Sequence, residues 1–460
     1  MIKLFNHWLR LRTILEIATD FSFVIVGGIA MVLWLGNGSL LNVKVVVACS
    51  LALAISTLSF NAWMGFYQTS HSRTILQSVL RALFSLALAA LFAYAIFSYA
   101  PLSDDGHQLL ALPAMTAVLG MVVHRLGVSQ SGASSMLVRR VLIFGAGEHA
   151  LAVRRALDKS DPNVQIVGFY PSPTEECIRV PEDRLLPISS SLTDTARALK
   201  VDEIVVALSE RRGGAMPLRE LLDCKLLGVK VLDLASHFEQ TLGQIRLDSL
   251  RAGWLIFGDG FRQGWARTAV KRLFDIVCAL VLLVLALPIM LVTAILVILE
   301  SGFPVIYRQE RVGLNGRLFN VIKFRSMGTD AEKDGKPRWA TGNDSRVTRV
   351  GRFIRKTRID ELPQLFSVLK GDMSLVGPRP ERPFFVDQLT REIPFYAVRH
   401  SVKPGVTGWA QVRYHYGASV EDSAEKLQYD LYYVKNNTLF LDLVILFETV
   451  GVVLTGKGAQ

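Results

Sequence analysis

The sequence predicts a membrane protein of the α plus α/β class: a four-helix transmembrane bundle, a parallel α/β domain and an α-rich monotopic domain. Three observations lead to this fold class. Four long apolar stretches lie in the first 130 residues, short apolar runs alternate with helical patterns in the middle, and a fifth apolar run introduces a polar, cation-rich final third. The predicted domains are residues 1–130, 136–262 and 266–460.

The charge of the chain indicates an anionic partner. Lys and Arg number 51 against 40 Asp and Glu, a net charge of +11. A balance of this size suits nucleic acid, anionic lipid or a phosphorylated substrate. The four cysteines are scattered without a Cys-x-x-Cys pair, which argues against a disulfide framework or a structural metal.

Each N-terminal apolar stretch is long enough to cross a bilayer core, which takes about 20 apolar residues as a helix. The predicted spans are residues 14–35, 45–63, 75–99 and 109–126. Lys and Arg occur in the N-terminal tail, in the second loop and after the fourth span, whereas the third loop is acidic. Because cytoplasmic loops carry excess Lys and Arg, we expect the N-terminus and everything after the fourth span to be cytosolic.

The middle of the chain predicts a Rossmann-like domain. RRVLIFGAGEHALAVRRAL is typical of a strand, a tight turn and a helix, and VDEIVVALS and VKVLDL are typical of later strands. Gly145 and Gly147 stand where a dinucleotide-binding loop has glycines, but Ala150 replaces the third and no acidic residue ends an obvious second strand. We expect a structural or oligomerising domain without a catalytic cofactor; nicotinamide chemistry is the alternative.

The fifth apolar run, about residues 273–299, is predicted to be a re-entrant helix. Basic residues flank it on both sides, and Pro288 lies near its midpoint. Proline removes a backbone N–H and clashes with the carbonyl four residues back, so it kinks a helix. A kinked helix can enter one leaflet and return to the same face. The alternative is an ordinary bent span.

The acidic pair Asp360 and Glu361 is predicted to lie at a helix N-terminus. Pro363 follows it, and proline is tolerated in the first turn of a helix. Two interpretations stay open. Acids at this end can simply offset the helix dipole, which stabilises a helix by about 0.3–1 kcal/mol. A carboxylate there can also attack a phosphorus atom if arginines and a divalent cation offset the repulsion.

Arginines surround this pair in the sequence. Arg355 and Arg358 precede it as neighbours on a helical surface, and Arg379 lies between two prolines in GPRP. A helix N-terminus ringed by arginines is suited to phosphate.

The segment from Arg267 to the end resembles the bacterial sugar transferase domain of the large monotopic polyprenyl-phosphate glycosyl-1-phosphate transferases. The resemblance is carried by KRLFDIVCALVLLVLALP, YRQERVGLNGRLFNVIKFRSM, RIDELPQLFSVLKGDMSLVGPRP and KPGVTGWAQV. Four spans and a Rossmann-like domain ahead of it match long, exopolysaccharide-type members. GAGEHA and HFEQTLGQIRLDSL resemble the exosortase-associated (PEP-CTERM) subgroup. One departure is Leu287, where family members often have serine before the proline.

The resemblance implies a two-step exchange that begins exopolysaccharide synthesis at the membrane. Asp360 attacks the β-phosphorus of a UDP-sugar, releases UMP and carries the phosphosugar, which undecaprenyl phosphate then accepts. Glu361 is implied as a metal partner or base, and Mg²⁺ is implied at Asp360 and Glu361. Arg355 and Arg379 match positions that contact phosphate or nucleotide.

The resemblance also implies further residues and partners. Lys323 and Arg325 match a basic motif near the site. Arg358 is predicted to bind phosphate as well, from its place among the arginines around the acidic pair. The implied partners are a UDP-sugar, undecaprenyl phosphate and the lipid bilayer, without nucleic acid. We expect a homodimer, multi-pass in the bacterial inner membrane, with its catalytic domain on the cytosolic face.

Two other functions stay open. Membrane-tethered sugar-nucleotide dehydratases and epimerases also combine four spans with a Rossmann fold, but they need a complete cofactor loop and a Tyr-x-x-x-Lys pair. Between residues 139 and 260 the only tyrosine is Tyr170, and Thr174 stands where the lysine would be. A non-enzymatic scaffold of polysaccharide assembly would need the acidic pair to be a helix cap, so Asp360→Asn would then leave activity unchanged.

Overall fold

The computed structural model describes most of the chain, in two compact units. The described residues are 2–4, 7–9, 11–34, 40–63, 75–99, 111–130, 138–160, 164–172, 175, 178–188, 191–208, 216–250, 260–261, 264–328, 346–414, 417 and 419–455. The first unit comprises residues 1–2 and 8–242, and the second comprises 3–7 and 243–460. This division does not test the three predicted domain ranges, which stay predictions.

Four long helices follow two short strands at the start of the chain, β1 (Ile2–Leu4) and β2 (His7–Leu9). The helices are α1 (Leu11–Trp34), α2 (Leu40–Trp63), α3 (Ile75–Tyr99) and α4 (Ala111–Gln130). Small and medium apolar side chains from all four pack together, whereas large ones such as Leu33 and Leu119 are 75% and 67% exposed. An apolar surface facing outward suits contact with lipid.

The membrane role of these helices is supported for two of them by length and composition. Residues 13–34 and 43–62 are long and apolar enough to cross a membrane, and α3 carries a shorter apolar stretch, residues 82–95. That all four helices cross the membrane stays a prediction.

A parallel four-stranded sheet follows and confirms the parallel sheet predicted for the middle of the chain. Its order is β4-β3-β5-β6. The strands are β3 (Arg139–Phe144), β4 (Val164–Tyr170), β5 (Glu203–Val206) and β6 (Lys230–Asp233). The helices are α5 (Glu148–Ser160) and α8 (Leu234–Leu242) on one face, and α6 (Leu192–Ala198) and α7 (Leu218–Leu226) on the other. Alternate side chains of β3 enter the two cores, as a strand period of two requires.

The second unit contains a long helix, two small sheets and a set of shorter helices. The strands are β7 (Ile306–Val312), β8 (Leu318–Phe324), β9 (Ser374–Val376) and β10 (Gly405–Thr407). The helices are α9 (Trp265–Ser301), α10 (Arg349–Lys356), α11 (Gln364–Lys370), α12 (Pro383–Glu392), α13 (Trp409–Arg413), α14 (Val420–Asn436) and α15 (Leu439–Thr455). Strands β7 and β8 are antiparallel, and β9 and β10 are parallel.

Helix α14 forms the centre of this unit, and α15 is held against α9. Tyr432 and Tyr433 on α14 are almost fully buried. The Tyr433 hydroxyl lies 2.7 Å from Oδ1 of Asp442, whose Oδ2 is 2.8 Å from Nζ of Lys271. Burying a carboxylate requires such partners, so this ion pair fixes the start of α15 to the start of α9.

Helix α9 contains the predicted re-entrant segment and is one helix of 37 residues with Pro288 inside it. It is the third helix of the described chain that is long and apolar enough to cross a membrane. Near its start, Arg272 donates to the carbonyls of Val368 and Leu369 at 2.5 and 2.6 Å. The re-entrant course and the role of Pro288 as its break stay predictions.

The far end of α9 is held by the same unit. Glu300 accepts hydrogen bonds from the backbone N–H groups of Arg349 and Val350, at 2.8 and 2.9 Å. Arg325 donates to the carbonyl of Ser301 at 2.7 Å and to that of Gly302 at 2.5 Å. Both ends of this apolar helix are therefore fixed to polar parts of one folded unit.

Candidate active site

The acidic pair lies in a tight turn between two helices. Residues Ile359–Glu361 form a 3-10 turn just before α11, and Pro363 is the N-cap residue of α11. Arg358, which precedes the turn, has φ 61° in the left-handed region. This conformation costs a non-glycine residue about 1–2 kcal/mol. The chain reverses here and brings Asp360 and Glu361 into the interior, where they are 8% and 7% exposed.

Cations converge on Glu361. Lys323 Nζ and Arg379 Nη2 each lie 2.9 Å from its Oε1 atom, and Arg358 Nη1 lies 3.9 Å from the same oxygen. Burial alone would raise the pKa of this carboxyl, but the charges of Arg379, Lys323 and Arg358 hold the pKa well below its usual range. Glu361 is therefore a permanently charged anchor, and a carboxylate with a low pKa is a weak base.

Asp360 behaves in the opposite way. Burial, together with the neighbouring charge of Glu361, raises the pKa of Asp360 to about 6, although Lys323 and Arg379 act against this rise. Within the described residues its carboxylate accepts no hydrogen bond. Two carboxylates adjacent in the chain thus have different properties: one is bound by cations and has a lowered pKa, and the other is desolvated and has a raised pKa.

Lys323 reaches the pair from the second strand of the β7–β8 hairpin, where it lies opposite Tyr307. The pKa of Lys323 is lowered, chiefly by burial, although the charges of Glu361 and Asp360 act against this shift. A small pocket of the described chain opens beside this lysine. Its lining residues are Arg311, Val321, Lys323, Gln364, Arg379, Pro380 and Gly405.

Arg379 is presented by a turn whose backbone is held on both sides. The carbonyl of Arg379 accepts a hydrogen bond from Arg399 Nη2 at 3.0 Å, and the next carbonyl, of Pro380, accepts one from Arg311 Nη1 at 3.1 Å. Gly377 and Gly405 let this turn pack against the strand β10: a Cβ built on Gly405 would lie 2.1 Å from the Gly377 nitrogen. The backbones of the GPRP and KPGVTG motifs are thus in direct contact at these two glycines.

Arg399 and Asp430 were not among the predicted site residues. Asp430 Oδ2 lies 3.0 Å from Arg399 Nε and 2.7 Å from Nη2, and Arg399 Nη1 donates to the Tyr396 hydroxyl at 2.8 Å. Arg399 and Asp430 are 5% and 2% exposed. The sequence signal was weak, because a single Arg in YAVRH and a single Asp in a helix 31 positions later carry no local pattern.

The other two predicted cations lie away from the carboxylates. Arg325 is 6% exposed and binds the C-terminal end of α9. Arg355, half-buried in the last turn of α10, contacts neither Asp360 nor Glu361 among the described side chains. Of the five predicted phosphate-binding residues, the structure therefore brings Lys323, Arg379 and Arg358 to the pair. The binding roles of all five stay predictions.

The carboxylates fit the implied Mg²⁺ in the manner of an open site. Mg²⁺ is usually bound by one or two carboxylates together with substrate phosphates. Asp360 and Glu361 supply two carboxylates adjacent in the chain, beside the cations that are predicted to bind phosphate. No group of three or more metal-binding side chains occurs in the described part of the chain, so a metal here would need substrate oxygens to complete its shell.

The geometry is typical of membrane-associated enzymes that act on phosphorylated substrates: a buried carboxylate with a raised pKa lies beside several cations. The comparisons with known proteins agree with this class. The sequence profile described as bacterial sugar transferase matches residues 266–456, and that described as CoA-binding domain matches residues 62–216.

Relatives that align with more than half of this chain give the family. An undecaprenyl-phosphate galactose phosphotransferase of Salmonella typhimurium is 31% identical over 411 residues, 83% of this chain and 80% of that protein. A UDP-N-acetylgalactosamine-undecaprenyl-phosphate N-acetylgalactosaminephosphotransferase of Aeromonas hydrophila is 44% identical over 263 residues, 57% of this chain and 61% of that protein. A UDP-glucose:undecaprenyl-phosphate glucose-1-phosphate transferase of Xanthomonas campestris is 33% identical over 336 residues, 70% of this chain and 68% of that protein. The chain belongs to the bacterial sugar transferase family, among the polyprenyl-phosphate glycosyl-1-phosphate transferases.

Proposed function

We propose that this protein transfers a sugar-1-phosphate from a UDP-sugar to undecaprenyl phosphate and releases UMP. The observation that carries the proposal is the contrast within the acidic pair: Glu361 is bound by Lys323 and Arg379, whereas Asp360 is buried beside the same cations with a pKa raised to about 6. Asp360 is then mostly ionised at pH 7, and it is more nucleophilic than a solvated carboxylate because it is desolvated.

In the first step, a carboxylate oxygen of Asp360 forms a bond to the β-phosphorus of the UDP-sugar. The bond from that phosphorus to the bridging oxygen breaks, and UMP leaves with the electron pair. Lys323 and Arg379, which lie beside the acidic pair, would stabilise the charge on the phosphoryl oxygens. Such electrostatic stabilisation is the principal means of catalysis in phosphoryl transfer. Mg²⁺ held by Asp360 and Glu361 would supply further neutralisation of the diphosphate.

In the second step, an oxygen of undecaprenyl phosphate attacks the phosphosugar on Asp360. The new phosphorus–oxygen bond forms as the aspartyl bond breaks, so Asp360 returns to its free carboxylate and the lipid diphosphosugar leaves. Glu361 keeps Lys323 and Arg379 in place through both steps, because its charge does not change near neutral pH. This assignment favours the metal-partner or anchoring role of Glu361 over a base.

The fixed ends of α9 support a re-entrant course. About 25 residues separate Asp275, which accepts a hydrogen bond from Leu375 N, from Glu300, which binds the start of α10. A straight helix would place them about 37 Å apart, more than the ~30 Å of a bilayer core. A crossing would therefore put parts of one folded unit on opposite sides of the membrane, whereas a bend at Pro288 returns both ends to one face.

The N-terminal residues support an even number of crossings before the second unit. His7, which precedes α1, belongs to that unit: its Nδ1 lies 2.8 Å from the Tyr432 hydroxyl, and its ring contacts Trp409. The chain therefore leaves one side of the membrane and returns to it. We propose four crossings, with the catalytic unit on the cytosolic face of the inner membrane, where UDP-sugars are found. The homodimer and the exosortase-associated subgroup stay predictions.

Release of UMP by the purified full chain tests the function. The assay contains undecaprenyl phosphate, Mg²⁺ and, in turn, UDP-glucose, UDP-galactose and UDP-N-acetylgalactosamine, the sugars in the names of the relatives. We expect UMP release with one of these sugars, and a rate of release at least a thousandfold lower in Asp360→Asn. Asp372→Asn, a surface carboxylate paired with Lys370, is the matched control. Folded protein that is silent with every UDP-sugar would favour the scaffold instead. Full UMP release by Asp360→Asn would exclude Asp360 as the nucleophile.

Labelling from one side of the membrane tests the course of α9. Cysteines placed at Arg267 and Phe303, at the two ends of α9, should both react with an impermeant thiol reagent in inside-out vesicles. Neither cysteine should react when the reagent is added to the outside of intact cells. Reaction of the two positions from opposite sides would show that α9 crosses.

A further inference from the structure

The loop between β3 and α5 has the shape of a phosphate-binding loop. Gly145 has φ +121°, and a Cβ there would lie 2.9 Å from the carbonyl oxygen of Ala207. Only glycine accepts this conformation and this approach. The backbone N–H groups of Ala146 and Gly147 follow, just before α5. In dinucleotide-binding domains the pyrophosphate accepts hydrogen bonds at this place.

In this protein a carboxylate of the same chain occupies that place. Glu175 Oε2 accepts a hydrogen bond from the N–H of Ala146 at 2.7 Å, and Oε1 accepts one from the N–H of Gly147 at 3.0 Å. Each oxygen takes one donor, as two oxygens of a phosphate would. Hydrogen bonds of this charge-assisted kind are the strong ones.

Described residues on either side of Glu175 also contact the loop through their backbone. Glu175 follows β4, and the N–H of Arg179 donates to the carbonyl of Ala146 at 2.8 Å. The N–H of Gly145 donates to the carbonyl of Tyr170, the last residue of β4, also at 2.8 Å. In a dinucleotide-binding domain an acidic residue near the end of the second strand binds ribose. Here the nearest acid of the described chain, Glu175, faces the phosphate loop instead.

We propose that Glu175 is a built-in substitute for the phosphate and closes the nucleotide site of this domain. CoA and dinucleotides therefore do not fit the domain, although its sequence profile is described as CoA-binding. A phosphate could reach the loop only by displacing a carboxylate that accepts two hydrogen bonds, and the displaced charge would repel it. The domain keeps the fold of a nucleotide-binding module, and its loop serves to hold Glu175 and Arg179.

Amide hydrogen exchange of the full chain tests the contact directly. In the wild-type protein the amides of Ala146 and Gly147 should be protected. In Glu175→Ala they should exchange at least tenfold faster, since a lost charge-assisted hydrogen bond corresponds to a factor of this size. Glu175→Gln should be intermediate, and Glu182→Ala, which removes an exposed carboxylate seven positions later, should match the wild type. Protection of β3 in each variant shows that the sheet is folded. Unchanged exchange in Glu175→Ala would overturn the proposal.

Ligand addition gives the second test. CoA and NAD⁺ at 1 mM should leave the exchange of the wild-type loop unchanged and give no saturable heat on titration. Sulfate should slow the exchange of the loop in Glu175→Ala and not in the wild type, because the two N–H groups are then open to an anion. Saturable binding of CoA or NAD⁺ to the wild type, with protection of the loop by the ligand, would show an open nucleotide site and refute the closure. Neither test uses transferase turnover, so its outcome is independent of the proposed function.

Discussion

Lys323 and Arg379 meet on one oxygen atom: Nζ of the lysine and Nη2 of the arginine each lie 2.9 Å from Oε1 of Glu361. The lysine comes from a β-hairpin and the arginine from a proline-flanked turn more than 50 residues later. Glu361 therefore assembles the cationic side of the site, and in the proposed reaction its neighbour Asp360 is the carboxylate that attacks the substrate phosphorus. Several measurable consequences come from this arrangement.

The first concerns the pH dependence of UMP release. The raised pKa of Asp360, about 6, places the protonation of the nucleophile just below neutral pH. The rate of the first step should be constant above pH 7 and fall towards tenfold per unit as the pH drops through 6, since only the ionised carboxylate attacks. A single-turnover assay without undecaprenyl phosphate avoids titration of the lipid phosphate. A rate that stays constant down to pH 4.5 would show an ordinary aspartate.

The second concerns Lys323. Its charge lowers the pKa of Asp360, so Lys323→Gln should move the acid limb of the same profile above pH 6. The first step should also slow by about tenfold to a thousandfold, the usual range for loss of one electrostatic contact to a transition state. Lys370→Gln removes a lysine paired at the surface with Asp372 and is the control. An unshifted limb in Lys323→Gln would mean that the lysine does not act on Asp360.

The third concerns the buried pair Arg399 and Asp430. Removing one partner leaves the other charge buried, which costs about 3–5 kcal/mol. Asp430→Asn should therefore lower the free energy of unfolding by about this amount.

The same pair should also affect activity. Arg399→Lys keeps the charge but cannot reach Asp430, Tyr396 and the Arg379 carbonyl together. It should therefore slow UMP release more than the control Arg391→Lys, which changes an exposed arginine on α12. Equal activity of the two lysine variants would remove Arg399 from the positioning of Arg379.

The fourth concerns Lys271 and Asp442, which join α9 to α15. Each single change, Lys271→Met or Asp442→Asn, should destabilise the protein in detergent by a few kcal/mol, because the remaining group loses its partner at 2.8 Å. The double variant should cost less than the sum of the two, with a coupling of about 1–3 kcal/mol. Strictly additive losses would show that the two groups do not interact.

The fifth concerns the glycines that join the GPRP turn to β10. In Gly405→Ala the new Cβ would lie 2.1 Å from the Gly377 nitrogen, and backbone cannot move aside as a flexible side chain can. We expect the free energy of unfolding to fall by more than about 4 kcal/mol, as in the most severe mutations, or the second unit not to fold. Gly264→Ala, where nothing lies within 4 Å of the new atom, is the control. Thermal unfolding followed by circular dichroism would compare the two.

Much of the fold could be predicted from the sequence because it depends on local pattern. Apolar length indicated α1 to α4 and the segment within α9, and alternating runs indicated the parallel sheet, since burial repeats with the period of each element. The predicted acidic pair lies directly before α11 because Pro363 limits where a helix can begin. The course of α9 was less accessible, since a bend and a crossing share one composition.

The sequence by itself determined which chemical groups are present: an Asp-Glu pair, several cations and a glycine-containing loop. Only the tertiary structure decided which of them meet. It brought Lys323, Arg379 and Arg358 to Glu361 but placed Arg325 at the end of α9, and it added the Arg399–Asp430 pair. It also turned Glu175 onto the Gly145–Gly147 loop. These contacts join residues far apart in the chain, and such pairs depend on packing and burial, which leave no periodic signal in a single sequence.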